Sequence, residues 1–492
     1  MSQRQRLTLI ATILGSTVVF LDSTVVNVAL PAIAEGLDAG LAGQQWVVEA
    51  YMLTLVALLL VGGSLGDQFG RRRLFVVGLV GFGATSALCA LAPTVEFLVA
   101  ARALQGITGA LLVPGSLALV AATFEGEARG KAVGTWTAWT GIATVFGPAG
   151  GGALIGLASW RAIFWVNLPL IAVTVWLCLR AVEESRDPDA YRGIDWLGIV
   201  LSAAGLGGPV FGLIEQPTHG WGDPLVWVPF AGGILCFVLF LVWEARARHP
   251  MLDLALFRIR NFAVANATTL AAYAGLIGGL FFVTLFLQQV VGYTPLEAGL
   301  ATTPISVILF VLSPRFGRVA SGTGPRLPMT VGPIVAGLGL LLMLMIGADA
   351  DYLTEVLPGV LVFGFGLAAT VAPLTATVLD SVPEARVGIG SGVNNGVSRV
   401  AGLLAIAVLG AAISARFAAI AGDGVAGGPL TADAAAASTS AFHLGLVVAA
   451  LLMIAGGLVS GIGIENSRRP ASSYPSRGSA AAGECGHEAE AG

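Results

Sequence analysis

Four charged side chains stand where charge is expensive. Asp22, Glu49, Arg102 and Arg399 each lie within a long apolar run or at its edge. An ionised group at the centre of a membrane-spanning helix costs about 3 kcal/mol, so such residues are functional candidates by default. Burial disfavours the charged form of Asp22, which suits it to binding and releasing a proton near neutral pH. It would serve equally as counter-ion to a cationic substrate. The plainer alternative is a packed acid that ties two helices together, through Thr24 or Asn27. Glu49 follows Trp46 near the start of the second run. It is either a second acid of the same kind or a glutamate one turn below the surface that snorkels to water. At 1.5 Å rise per residue, Arg102 lies roughly 8 Å and Asp22 roughly 12 Å below the same surface. A long arginine side chain spans that gap. Arg102 can then tune the acidity of a nearby carboxyl, and arrival of a proton or substrate would change the pairing. The alternative is a fixed ion pair. Arg399 sits at mid-depth of a later run with Asn394 and Asn395 one turn away. It faces a central cavity, or it is satisfied by those amides and by backbone carbonyls.

Other chemistries find no support. There is no GxxxxGK[ST] and no HExxH, so neither a phosphate loop nor a zinc-protease helix is present. Cys89, Cys178 and Cys236 lie inside apolar runs and Cys485 near the end, a pattern with neither disulfide nor metal-ligand spacing. A net charge of -4 suggests no nucleic-acid partner. No cofactor, metal or enzymatic activity is expected. Any work must draw on an ion gradient or on a substrate's own gradient.

The elements that hold these residues follow from composition. Mean hydropathy is +0.86 and 11% of the 492 residues are charged, against about a quarter in soluble domains. About 20 apolar residues span a bilayer, and fourteen such runs fall near 8–30, 46–65, 74–92, 97–121, 131–156, 162–182, 194–214, 225–244, 262–290, 297–314, 327–347, 354–378, 388–413 and 441–464. An all-α polytopic membrane protein is expected, its first run a retained helix and not a cleaved signal. With the N-terminus inside, one side collects nearly all of the Lys and Arg, including Arg4, Arg6, Arg71 to Arg73, Lys131, Arg258, Arg260, Arg315, Arg318 and Arg326. The other side keeps Arg161 and Arg416. Such alternation supports fourteen spans with both termini cytoplasmic.

The connection Gly63-Ser64-Leu65-Gly66-Asp67-Gln68-Phe69-Gly70-Arg71-Arg72-Arg73 is short, charged and glycine-rich. Gly317, Ser321 and Gly324 repeat the spacing of Gly63, Asp67 and Gly70, with an offset of 254 residues. The same offset carries the first run onto the ninth. The chain therefore divides into a six-helix bundle over 1–190, two inserted helices over 191–250, a second six-helix bundle over 251–465, and a disordered cytoplasmic tail over 466–492. Parallel six-helix halves place a substrate site between them. Asp67 can accept from a helix N-terminus and pair with Arg71, forming a latch that Ser321 cannot copy.

These stretches resemble the major facilitator superfamily. The Gly63–Arg73 loop is similar to its cytoplasmic signature, with Gly63, Asp67, Gly70, Arg71 and Arg72 at the matching positions. Leu21-Asp22-Ser23-Thr24-Val25-Val26-Asn27-Val28-Ala29-Leu30-Pro31 resembles the first-helix signature of the fourteen-span drug:proton antiporters, the EmrB/QacA type. Arg102-Ala103-Leu104-Gln105-Gly106 with Gly109 resembles the fourth-helix motif. Gly147-Pro148-Ala149-Gly150-Gly151-Gly152 resembles the fifth-helix antiporter motif. Ala143 and Ser321 depart from the usual Gly and Asp. The resemblance implies a major facilitator fold and proton-coupled export of small amphipathic compounds by alternating access, by a protein acting as a monomer in the cytoplasmic membrane. It implies a proton-transfer role for Arg102, with Gln105 in the same motif, and a leak-tight helix contact at Gly147, Pro148, Gly151 and Gly152. It also implies an acid at Glu49 ahead of Tyr51. Two rivals stay open: a proton-coupled importer of a small metabolite, and a non-transporting membrane sensor. Ordinary glycine packing is the plain alternative for the fifth helix.

Overall fold

The structure, a computed structural model, describes residues 1–124, 126–186, 195–247, 252, 254–382, 387–421 and 432–466. The expected tail over 466–492 lies, beyond Asn466, outside the described residues. So does the side chain of Asp67 within its helix. Among the described residues the regular structure is entirely helical.

The helices in chain order are α1 (Gln3–Leu37), α2 (Leu41–Phe69), α3 (Arg71–Ala90), α4 (Val95–Gly109), α5 (Leu112–Thr123), α6 (Gly126–Leu157), α7 (Ala162–Trp165), α8 (Asn167–Ala181), α9 (Trp196–His219), α10 (Pro224–Glu244), α11 (Arg260–Gln289), α12 (Pro295–Thr323), α13 (Arg326–Leu342), α14 (Leu357–Asp380), α15 (Val387–Ala421) and α16 (Ala432–Gly463). Among the described residues twelve helical segments are long and apolar enough to cross a membrane, α4–α5 and α7–α8 each counting as one. α2 and α6, of 29 and 32 residues, lie between them in sequence. The helices overrun the apolar runs at both ends because caps continue them. Ser2 and Gln5 form a capping box at the start of α1, which satisfies two backbone groups reciprocally.

The two broken spans have a common cause. Pro114 is the third residue of α5 and Pro169 the third of α8. Neither has an N–H to offer the carbonyl four residues back, at Ala110 and Trp165. The freed Ala110 carbonyl lies directly over the backbone of Gly62 on α2, where any side chain would collide with it.

α1 to α8 pack chiefly on one another, as do α11 to α16, while α9 and α10 pair together and α9 lies against both α2 and α15. The end of the molecule holding Gln3 is called proximal here, and that holding the α1–α2 turn distal. The two larger groups meet distally. Gln45 Nε2 donates to the Ile406 carbonyl (3.1 Å), Gln288 Nε2 to the Val28 carbonyl (3.1 Å) and Gln289 Nε2 to Gln44 Oε1 (3.0 Å).

At the proximal end the structure repeats itself. Gly70 and Gly324 have φ of +110° and +92°, a region that favours glycine, and each joins two antiparallel helices. After Gly70, the α3 amides of Arg72 and Arg73 donate to Glu184 (3.0 and 3.1 Å). After Gly324, the Arg326 amide donates to Asn466 Oδ1 (3.1 Å). Arg4 Nε reaches the Ala181 carbonyl (3.0 Å) and its guanidinium pairs with Glu183. Arg260 Nε reaches the Gly463 carbonyl (2.9 Å) and pairs with Glu465 (2.6 Å). Ala181-Val182-Glu183-Glu184 and Gly463-Ile464-Glu465-Asn466 are thus one device used twice, with Val182 and Ile464 both buried. It fastens the last helix of each group to the first and third. Glu184 takes two amides of α3 where Asn466 takes one of α13. Glu184→Ala should therefore lower stability by about 1–2 kcal/mol, and Asn466→Ala by about half as much. Thermal unfolding of the purified protein in detergent checks the ratio.

Candidate functional site

Asp22, Arg102 and Gln105 come together inside the first helix group. Arg102 Nη1 donates to Asp22 Oδ2 and to Gln105 Oε1 (2.7 Å), and its Nε donates to the Val47 carbonyl (3.0 Å). Asp22 Oδ1 accepts from Gln105 Nε2 and from Asn167 Nδ2, both at 3.2 Å. The two amides also share Ser86 Oγ, at 2.8 and 3.1 Å. The Arg102 guanidinium carbon lies 4.2 Å from the centroid of the Tyr51 ring, within cation–π range. Five helices supply this cluster, α1, α2, α3, α4 and α8. Asp22 is 3% exposed and Arg102 1%.

Local structure explains the convergence. Residues 102 and 105 lie three apart on α4 and so share a face. Asn167 is the first residue of α8, just past the break at Val166. Thr24, offered above as a partner for Asp22, instead donates to the carbonyls of its own helix at Phe20 and Leu21 (3.2 and 3.0 Å). Ser86 and Asn167 were not singled out by sequence reasoning, and Tyr51 entered only as the residue beside Glu49, not as a partner of Arg102. Ser86 and Asn167 are polar groups in apolar runs, a weak signal that many unrelated helices share.

Glu49 is fully buried, and neither carboxylate oxygen has a hydrogen-bond partner among the described residues. The snorkelling alternative fails because α2 begins at Leu41. Glu49 is therefore more than two turns below the helix end. Arg399 is half-buried and does not engage Asn394 or Asn395. Asn394 bonds Asn266 (3.2 Å) and Thr269 (2.7 Å), and Asn395 bonds the Ser391 carbonyl (3.0 Å). The Arg399 guanidinium carbon lies 5.9 Å from the Phe20 ring of α1. Phe281, Phe282 and Phe286 are buried core residues, and Phe286 stacks on Phe442 at 4.0 Å.

The glycines of α6 are places of close approach. A side-chain carbon on Gly147 or Gly151 would run into Thr24 or Val25 of α1. One on Gly152 would lie 2.5 Å from the Pro295 carbonyl oxygen, and one on Gly299 2.5 Å from that of Pro148. α6 thus touches α12 backbone to backbone at the distal end. The expected connection over Gly63–Arg73 is mostly helix, since Gly63 to Phe69 continue α2 and only Gly70 stands before α3, and a side-chain carbon on Gly63 would sit in ordinary contact with Pro114 (3.6 Å). The Arg71 amide donates to the Ser185 carbonyl (3.0 Å), and Arg72 Nη1 to the Val182 carbonyl (3.2 Å).

The profile of the Major Facilitator Superfamily matches residues 12–406. The chain belongs to this superfamily. Among curated superfamily members it is 38% identical over 416 residues to the "Multidrug resistance protein Stp" of Mycobacterium tuberculosis, covering 84% of this chain and 77% of that one. It is 36% identical over 409 residues to the "Tetracenomycin C resistance and export protein" of Streptomyces glaucescens, covering 83% and 76%. Among solved structures, a bacterial homologue of the human lysosomal transporter Spinster has a TM-score of 0.64 at 16% identity, with coverage of 94% and 97%. The superfamily fold and these relatives make the chain a multi-pass membrane transporter and not an enzyme.

Proposed function

We propose that this superfamily member is a proton-coupled antiporter that exports small amphipathic compounds across the cytoplasmic membrane. The sealed Asp22–Arg102 pair carries the reading. It holds one acid, one permanent cation and a closed set of amide partners. A proton on Asp22 would leave Arg102 buried without a counter-ion, and that costs several kcal/mol. The cost is relieved by a rearrangement of the helices that hold the pair. Glu49, enclosed and unpartnered, is a second acid available to a proton or a substrate. The names of the relatives, which speak of multidrug resistance and antibiotic export, favour outward drug movement. In this reading the bilayer is crossed fourteen times, with α2 and α6 joining the twelve segments above. Both termini are cytoplasmic and the protein acts as a monomer. Residues 1–190 and 251–465 form the two rocking bundles, and 191–250 the inserted pair. The distal contact is then the outer gate, closed here, and the Gly63–Arg73 stretch with Asp67 belongs to the inner one.

Purified protein in liposomes tests the proposal. Adding a transported compound should move protons in the opposite direction. Arg102→Lys, which keeps the charge but loses the planar group whose Nη1 bonds Asp22 and Gln105 while its Nε bonds the Val47 carbonyl, should reduce that movement by about tenfold or more. Compound movement without proton movement, or full transport in both Arg102→Lys and Asp22→Asn, would overturn the reading.

A further inference from the structure

The charge left over in the cleft between the two helix groups points to the class of compound that fits it. One face of α15 runs along this cleft. Distally, at Ile406, it is sealed against Gln45 of α2. Two turns below, at Arg399, it is half-buried, and one turn further, at Asn395, it is exposed. Exposure along α15 thus grows proximally from the distal seal, and Arg399 meets Phe20 of α1 where the two groups face each other. Arg399 has no carboxylate and no hydrogen-bond acceptor within bonding distance among the described residues. Its neighbour is the Phe20 ring, 5.9 Å from the guanidinium carbon. The acids nearby do not present charge to it. Asp22 spends both oxygens on Arg102, Gln105 and Asn167. Glu49 is fully enclosed. A guanidinium without a partner in a low-dielectric cleft is a binding site for an anion and a barrier to a cation. Phe20 meets Trp136 edge to face at 6.3 Å, which gives the same site an aromatic wall.

We infer that the cleft takes an anionic aromatic compound, with its carboxylate, sulfonate or phenolate on the Arg399 guanidinium and its ring against Phe20. The planar fork of arginine matches such oxygen pairs bidentately. The inference rests on the transport reading above for its purpose, but its chemistry is testable by binding alone.

Fluorescence anisotropy of the purified full-length protein in neutral detergent provides the test, with fluorescein as the anionic probe and ethidium as the cationic one. Wild-type protein should bind fluorescein about tenfold more tightly than ethidium. Arg399→Gln should weaken fluorescein binding about tenfold and tighten ethidium binding about threefold. Arg399→Lys should recover most of the fluorescein affinity. Tighter binding of ethidium than fluorescein by wild type, absence of fluorescein binding, or equal loss of both probes in Arg399→Gln would overturn the inference. Liposome flux separates the two proposals. Fluorescein movement without counter-moving protons would refute coupled antiport and leave the anion site standing. Proton-coupled export confined to ethidium would do the reverse.

Discussion

Asp22→Asn is expected to abolish export and to destabilise the protein by about 3 kcal/mol, whereas Arg102→Gln abolishes export at a much smaller cost in stability. The difference comes from what each residue leaves behind. Without Asp22, a guanidinium that cannot be deprotonated stays buried at 1% exposure with the Gln105 amide oxygen and the Val47 carbonyl as its acceptors. Without Arg102, Asp22 can take up a proton and keep its bonds to Gln105 and Asn167. The double variant Asp22→Asn/Arg102→Gln contains no buried charge at this site, so most of the stability should return while export stays lost. Thermal unfolding in detergent and liposome flux, measured on all three variants, check the pattern. A double variant as unstable as Asp22→Asn would show that the pair is structural cement. The same energy scale bears on mechanism. Moving a two-state equilibrium from 1:99 to 99:1 takes about 5.5 kcal/mol. In the proposed mechanism, the uncovering of Arg102 by one proton would supply the larger part of that.

The helices and the Asp22–Arg102 contact were legible in the sequence because both follow from one-dimensional quantities. Apolar length sets where helices cross, and rise per residue sets depth. Two buried opposite charges at similar depth on neighbouring helices have few partners but each other. Ser86 and Asn167 were not legible, because which face of a helix a serine or asparagine occupies depends on packing that the chain does not announce. Glu49 was misplaced in depth for a related reason. Hydropathy marks the apolar run from residue 46, but the helix starts at Leu41, and five residues are more than one turn. Glu184 and Asn466 were missed because they lie just past helix ends, outside every apolar window. Their common setting, Val-Glu-Glu against Ile-Glu-Asn, is too short to stand out before the contacts are seen. The repeat of Gly63 and Gly70 at Gly317 and Gly324 was legible because glycine has to occupy the positive-φ turns, now seen at Gly70 and Gly324.

Gly152→Val should push the molecule out of its distally closed state, while Gly150→Val on the same turn of α6 should not. The two glycines differ in what a side chain would meet. At Gly152 the obstacle is backbone, the Pro295 oxygen at 2.5 Å and the Leu296 Cα at 2.7 Å, which no rotamer change can move aside. At Gly150 a side-chain carbon would meet nothing within 4 Å among the described residues. The reciprocal contact of Gly299 with the Pro148 oxygen means that α6 and α12 have no slack on either side. Relief requires the two helices to separate by about the difference from ordinary van der Waals contact, roughly 1 Å. The nearby amide bonds of Gln44, Gln45, Gln288 and Gln289 tolerate little such movement, because hydrogen bonds weaken steeply beyond about 3.5 Å. Distal closure therefore fails as a unit. Labelling of a single cysteine at Val28, now buried beneath that contact, should accelerate about tenfold in Gly152→Val, and export should fall by a similar factor. Unchanged labelling with normal export would mean that α6 and α12 close the distal end by some other contact.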